Sequence, residues 1–223
     1  MRKPPPPRRG RPAASGGRDA REALLDAAVA LFAERGVAAT TAAGIAARAG
    51  VTPAMIHYYF RGRDNLVDAV VDERMALFVS HVFGAPPDRD ASVAETIAAI
   101  AARIFDAARR FPWMPPIWIR EIAAEGGLLR ERAMRHLPAA AIGGFVERIV
   151  AARRRGEVGA GVDPRLVFVS MMGLTMFALA TQPVWRRLPG AGAITLDDLE
   201  RHATAILTAG LANAAPTRQR RKR

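Results

Sequence analysis

The chain has 223 residues, with 33 Lys+Arg against 21 Asp+Glu, a formal net charge of +12 and no cysteine. Half of it is hydrophobic, enough for a core, so wholesale disorder is excluded. The lack of cysteine excludes a disulfide framework, a thiol nucleophile, thiol redox sensing and Cys-based metal or iron–sulfur sites, and it fits a reducing cytoplasm.

Residues 1–18 are rich in Pro, Arg and Gly and carry six positive charges (Arg2, Lys3, Arg8, Arg9, Arg11, Arg18) without an acid. They are expected to be disordered alone. Five more cations, Arg218 and Arg220 to Arg223, close the chain, and the body between stands near +1. A nearly neutral globule with two basic arms seeks polyanions, either nucleic acid or anionic membrane. Arg outnumbers Lys 31 to 2 and 46 residues are Ala. This is the mark of GC-rich coding, so the choice of Arg over Lys carries little meaning.

The elements read as helices throughout. Asp19, with Glu22 three residues on, predicts an N-cap. Leu24, Ala28, Leu31 and Phe32 follow at helical spacing, and Gly36 stops the run. A short helix runs from Thr40 or Thr41 to about Ala49, and Gly50 ends it. Thr52 is the expected cap of a third helix, with Pro53 at its first position and an end near Phe60. Gly62 opens a longer helix through about Val82, and Pro86-Pro87 break the chain. Ser92–Arg110 is one helix with Val93, Ile97, Ile100, Ile104 and Phe105 inward. Phe111–Pro116 is an irregular, Pro-broken patch before a short helix near Ile117–Ala124. Leu128–Arg155 reads as a long helix bent at Pro138 or Gly143-Gly144. After a Gly156–Gly161 loop, Asp163-Pro164 open an apolar helix over 164–181. Pro183–Gly192 is a loop, and Thr195 caps a last helix to about Asn213. The class is all-α, with about nine helices and no internal repeat. The expected domains are a basic arm (1–18), a small helical domain (19–66), a larger helical domain (67–215) and a basic tail (216–223).

The first three helices, with a tight Ala-Gly-Val turn between the second and third, form a helix-turn-helix. Ile45, Ala46, Ala49, Val51, Ile56 and Phe60 would lock two short helices over Leu24, Ala28 and Phe32. The rigid outer face of the third then shows Thr52, Pro53, Met55, His57 and Tyr58. A helix of about two turns on such a support fits the DNA major groove. Tyr59 and Arg63 lie at its far end, where the sugar–phosphate backbone would pass. Arg63 also opposes the dipole of the fourth helix, a conflict that a phosphate would relieve.

The string Thr41-x3-Ile45-Ala46-x2-Ala49-Gly50-Val51-Thr52-x3-Ile56-x2-Tyr59-Phe60-x2-Arg63-x2-Leu66 resembles the DNA-binding domain of the TetR family of bacterial transcriptional regulators. The resemblance covers Ala20–Leu66, about a fifth of the chain, and is specific as a set. Three residues depart from the family pattern: His57 stands where Tyr is commonest, Ala54 where Gly is frequent, and Arg63 where Lys is usual. The resemblance implies groove contacts by Thr52, Pro53, Met55, His57 and Tyr58, and phosphate contacts by Thr41, Tyr59 and Arg63. It implies a C-terminal helical domain for ligand binding and dimerisation. It also favours a repressor over an activator, working in the cytoplasm at the nucleoid.

In the N-terminal arm, Arg9-Gly10-Arg11-Pro12 resembles an AT-hook, whose two Arg side chains enter a narrow minor groove. A generic solubilising tail explains the same residues. The tail from Arg218 offers phosphate contact without sequence reading.

Most Met and aromatic residues beyond 71 read as bundle core. Phe105, Trp113, Trp118 and Met172 are the expected wall of a pocket for a small, mostly apolar effector, because Trp113, Met114 and Trp118 fall in the Pro-broken patch. The 164–181 helix and the last helix (Leu196, Leu199, Ala203, Ile206, Leu207, Leu211) look too apolar for one exposed surface. A homodimer pairing them as a four-helix interface would bury the excess and set two reading helices on a palindromic operator.

Three rival classes stand against a regulator. Catalysis lacks a phosphate-cradling Gly-rich loop, a nucleophile elbow or a metal-spaced His pair, since His57, His81, His136 and His202 are scattered. No cofactor or metal is expected. A constitutive architectural protein would bind any duplex through its arms. A polybasic membrane-surface protein would bind anionic vesicles instead. The N-terminus has Pro4 to Pro7 where a signal peptide needs apolar residues. The longest apolar run, Leu166 to Ala180, is shorter than the roughly 20 residues that span a bilayer. A soluble protein with duplex DNA, itself and a small effector as partners, and no membrane, is the expectation.

Overall fold

The structure, a computed structural model, describes residues 14–85, 88 and 90–211. Arg9 and Arg11, the Pro86-Pro87 break and the tail over 216–223 lie outside the described residues. The described residues form helices and turns with no strand, an all-α fold whose helix number roughly matches expectation. They divide into two compact units, Met1–Val70 and Val71–Arg223.

The first unit holds α1 (Ala14–Arg35), α2 (Ala42–Arg48), α3 (Ala54–Phe60) and α4 (Arg63–Val70). α1 begins five residues before the expected Asp19 cap. A capping pattern marks where a helix can start; here the turn from Ala14 forms ahead of it, so Asp19 is an interior residue. Gly36 ends α1 at φ 84, a left-handed angle that favours glycine. Thr41 is the N-cap of α2, its Oγ1 accepting from Gly44 N at 3.1 Å. Gly50, at φ 70, turns the chain between α2 and α3. Thr52 does not cap α3. Pro53 holds that position with no side-chain cap, and the Thr52 carbonyl instead accepts Met55 N–H in the preceding turn. Leu24, Leu25, Ala28, Phe32, Ile45, Ala46, Ile56 and Leu66 are fully buried and form the core. Burying each large aliphatic side chain here contributes about 2 kcal/mol.

The second unit opens with a π-turn over Val71–Met75, then α5 (Ala76–Phe83) and α6 (Val93–Arg110). Ser92 caps α6 in a reciprocal box with Glu95. Ile97, Ile104 and Phe105 are buried on the expected face. α7 (Met114–Ile117) corrects the reading of a Pro-broken patch. Pro115 and Pro116 occupy the first helical turn, where a missing N–H costs nothing, so the prolines start the helix rather than prevent it. A second π-turn, Trp118–Ala123, continues it.

The expected Leu128–Arg155 helix is two helices, α8 (Arg130–Met134) and α9 (Ala139–Arg154). Pro138 makes the break: it cannot donate, and it biases Leu137 out of helical geometry. Gly143-Gly144 lie inside α9 without interrupting it. α10 (Pro164–Met172), capped by Asp163 as expected, runs through a third π-turn, Gly173–Phe177, into α11 (Ala178–Ala180). The expected 183–192 loop contains part of a short α12 (Gln182–Trp185), again with proline in its first turn. α13 (Leu196–Ala209) starts in a Thr195–Asp198 capping box and packs on α6.

Candidate nucleic-acid interface and ligand cavity

α3 rests on buried Ile56 and Phe60. The Arg21 guanidinium from α1 stands 5.1 Å from the Phe60 ring centroid. With its inner side held in this way, the outer side is presented to solvent. Thr52, Pro53, His57 and Tyr58 are exposed, and Met55 and Tyr59 are half-buried. Tyr58 is 76% exposed, and its ring meets Tyr59 edge-on at 4.8 Å between centroids. An aromatic ring so exposed costs hydration free energy unless a partner covers it. The structure therefore brings the expected groove-facing residues to one short helix and its entry. Thr41 is exposed as well, with its hydroxyl engaged as the α2 cap.

Arg63 is arranged differently. Its Nε donates to the Thr40 carbonyl at 3.0 Å and its Nη2 to the Val37 carbonyl at 2.5 Å. It thus fastens the loop between α1 and α2. Sequence reasoning missed this use, because carbonyl acceptors leave no side-chain signal. It also passed over Arg61, an exposed residue at φ 61 and ψ 12 that closes α3, its N–H donating to the His57 carbonyl.

In the second unit, a cavity of about 310 Å³ lies among α5, α6, α7, α8 and α10 and the turns that join them. Each of the three π-turns gives it wall: Val71 and Met75 from the first, Trp118 and Ile122 from the second, Met176 from the third. A π-turn holds one extra residue in a helical run, which widens the helix and alters which side chains face inward. Of the four expected pocket residues, Trp118 and Met172 line the cavity. Phe105 and Trp113 do not. Phe105 is 1% exposed in the α6 core, and Trp113 packs edge-on against Phe111 at 5.9 Å. The inward side of α5, with Phe78 and Val82, also lines the cavity, and no sequence signal separates it from bundle core. His136 is the one ionisable side chain of the wall among the described residues, and its Nε2 lies 2.7 Å from Asp72 Oδ1.

Of the expected dimer residues, Ala203, Leu207 and Leu211 are buried within the chain. Leu166, Val169, Phe177 and Ile206 remain 57%, 60%, 53% and 44% exposed on α10, the third π-turn and α13. Among the described residues no group of three or more His, Asp or Glu could hold a metal ion, and no helix is long and apolar enough to cross a membrane.

Comparison with known proteins agrees with this geometry. Residues 24–70 match the family model described as bacterial regulatory proteins, tetR family. The HTH-type transcriptional regulator BetI of Brucella anthropi is 37% identical over 89 residues, 40% of this chain and 45% of that protein. BetI of Rhizobium meliloti is 41% identical over 51 residues, 23% of this chain and 25% of its own. The chain thus matches less than half the length of these curated relatives. Among solved structures, the ketosteroid transcriptional regulator KstR2 of Mycobacterium tuberculosis aligns with a TM-score of 0.67 at 21% identity, covering 86% of this chain and 95% of that one. The transcriptional regulator FadR of Bacillus subtilis, in complex with stearoyl-CoA, gives 0.62 at 20%, covering 85% and 98%. These two likenesses establish a shared fold. Residues 24–70 thus carry a domain of the tetR family of bacterial regulatory proteins, and the chain shares the fold of these two solved structures over most of its length.

Proposed function

We propose that the protein is a sequence-specific DNA-binding transcriptional regulator, a dimeric repressor released from a palindromic operator by a small, mostly apolar effector. The observation that carries this reading is the exposed outer side of α3 on a fully buried support. In this reading Thr52, Pro53, Met55, His57 and Tyr58 face the major groove. Thr41 and Tyr59 face phosphates, and Arg9 and Arg11 reach the minor groove. Residues 19–66 are the DNA-binding domain and 67–215 the effector and dimer domain, between a basic arm and a basic tail.

The cavity supports the effector. Its wall is apolar apart from His136, which is engaged by Asp72, so a ligand's charge would be desolvated there without an unengaged partner. Trp118 and Met172 are the proposed contacts. The exposed Leu166, Val169, Phe177 and Ile206 support pairing of two copies. An effector that binds one spacing of the two reading helices better than the other lowers operator affinity by population shift.

The test is binding to DNA flanking the coding region, at physiological salt, beside scrambled DNA of equal length. One palindromic footprint with a large specificity ratio supports the reading. Equal, salt-sensitive binding to both DNAs supports the architectural alternative through the basic arms.

A further inference from the structure

The resemblance puts Arg63 on the DNA backbone, but its fork is engaged by main-chain carbonyls. Two of its donors reach the Val37 and Thr40 carbonyls, and only 32% of the side chain is exposed. A guanidinium held by its fork in this way orders the segment that ends at Thr41, the cap of α2. A reading helix whose far end crosses the sugar–phosphate backbone still needs a cation there.

Arg61 stands at that end. It follows Phe60 directly and is exposed, and among the described residues no hydrogen bond or ion pair holds its side chain. Its backbone is the second observation. At φ 61, Arg61 is the only non-glycine residue with positive φ among the described residues. Glycine would adopt this angle without the steric cost that a Cβ brings. Such an outlier on a candidate site is a pointer to a side chain with a task.

We propose that Arg61, rather than Arg63, supplies the cation that meets a DNA phosphate at the end of α3, and that Arg63 is a positioning residue for the Val37–Thr41 segment. This rests on the DNA-binding reading above. A cation at a helix C-terminus also suits the helix dipole, so the experiment must separate a phosphate contact from a cap.

The full chain is titrated against its footprinted operator at several salt concentrations, as wild type, Arg61→Gly, Arg61→Lys and Arg63→Gln. Glycine suits the left-handed cap, so Arg61→Gly folds, with a Tm no lower than wild type. It is expected to bind roughly five- to tenfold more weakly at moderate salt. Its log–log salt dependence is expected to flatten by about one for each phosphate left without its cation. Arg61→Lys recovers most of both. Arg63→Gln lowers the Tm but keeps the wild-type salt slope. Wild-type affinity and slope in Arg61→Gly overturn the proposal, as does a flattened slope in Arg63→Gln alone. If the wild type prefers no DNA, the regulator reading itself fails, and that outcome is visible before any variant is compared.

Discussion

His136 Nε2 lies 2.7 Å from Asp72 Oδ1, tying the turn before Pro138 to the π-turn that opens the second unit. Both partners are partly open to solvent, 31% and 51% exposed, so the pair contributes about 1 kcal/mol or less to stability. Its position counts for more than its strength, because His136 belongs to the cavity wall and Met134 and Leu137 beside it are 44% and 43% exposed. Cutting the tie with Asp72→Ala is expected to speed exchange of a neutral fluorescent probe such as N-phenyl-1-naphthylamine while changing the Tm little. Stopped-flow release of the probe checks this, and unchanged release kinetics count against a role for the pair in holding the cavity wall.

Tryptophan emission locates the ligand. With Trp113 and Trp185 replaced by Phe, emission from Trp118 is expected to shift when the probe binds. With Trp113 as the sole tryptophan, it is expected not to respond. A Trp113-only response would place the ligand near Phe111 instead. Met172→Trp, which fills the cavity, is expected to abolish uptake of the probe.

Exposed Tyr58 gives a clean separation of binding from folding. Tyr58→Ala removes a ring that contacts little of its own chain, so Tm should stay within a degree or two. Operator affinity should fall at least tenfold, as expected for a central aromatic contact. Calorimetry and anisotropy on the same preparation check both halves.

Phe177 and Val169 lie on the surface proposed for self-association. A charge at the centre of an apolar interface is costly to bury. Phe177→Asp with Val169→Asp is expected to give a monomer by sedimentation at micromolar concentration, with helix content retained. A dimer that survives both changes places the interface elsewhere.

Acid tests the helix caps. The Arg165 side chain, which donates to both carboxylate oxygens of Asp163, holds that group at about 2, below its ordinary 3.8. The Thr195 hydroxyl lowers Asp198, and the Ser92 hydroxyl lowers Glu95. A folded-state pKa below the unfolded one contributes stability that is present above the unfolded value and lost as pH falls through the folded one. Thermal stability should therefore decline from about pH 4 to pH 2. Asp163→Asn should flatten part of that decline. Thr195→Ala, which removes both the cap and the hydroxyl that lowers Asp198, should cost about 1 kcal/mol near neutral pH and less in acid, where Asp198 is protonated.

Helix starts and stops were legible in the sequence where the deciding physics is local. Thr41, Ser92, Asp163 and Thr195 each cap the helix expected of them. Proline can be read in two ways, and only context decides between them. Pro138 breaks a helix, whereas Pro115 and Pro116 begin one. The outer side of α3 could be found because a two-turn helix has few ways to bury Ile56 and Phe60 together. The cavity wall could not. Phe105 and Met172 are both apolar residues at helical spacing, yet one fills the core and the other borders a void. That difference is set by tertiary packing, which carries no local sequence mark of its own. The engagement of Arg63 with main-chain carbonyls was hidden for the same reason.

The π-turns also bear on how this cavity can change over generations. Each is equivalent to a helix carrying one inserted residue. Deleting a single residue within Val71–Met75 would return that stretch to ordinary α geometry without rotating the helix that follows, so the wall would change at the turn itself. Cavity shape is thereby open to codon-sized insertions and deletions as well as to substitution. Related chains that differ by one residue at these turns should accept ligands of different size, even where the surrounding apolar residues are the same.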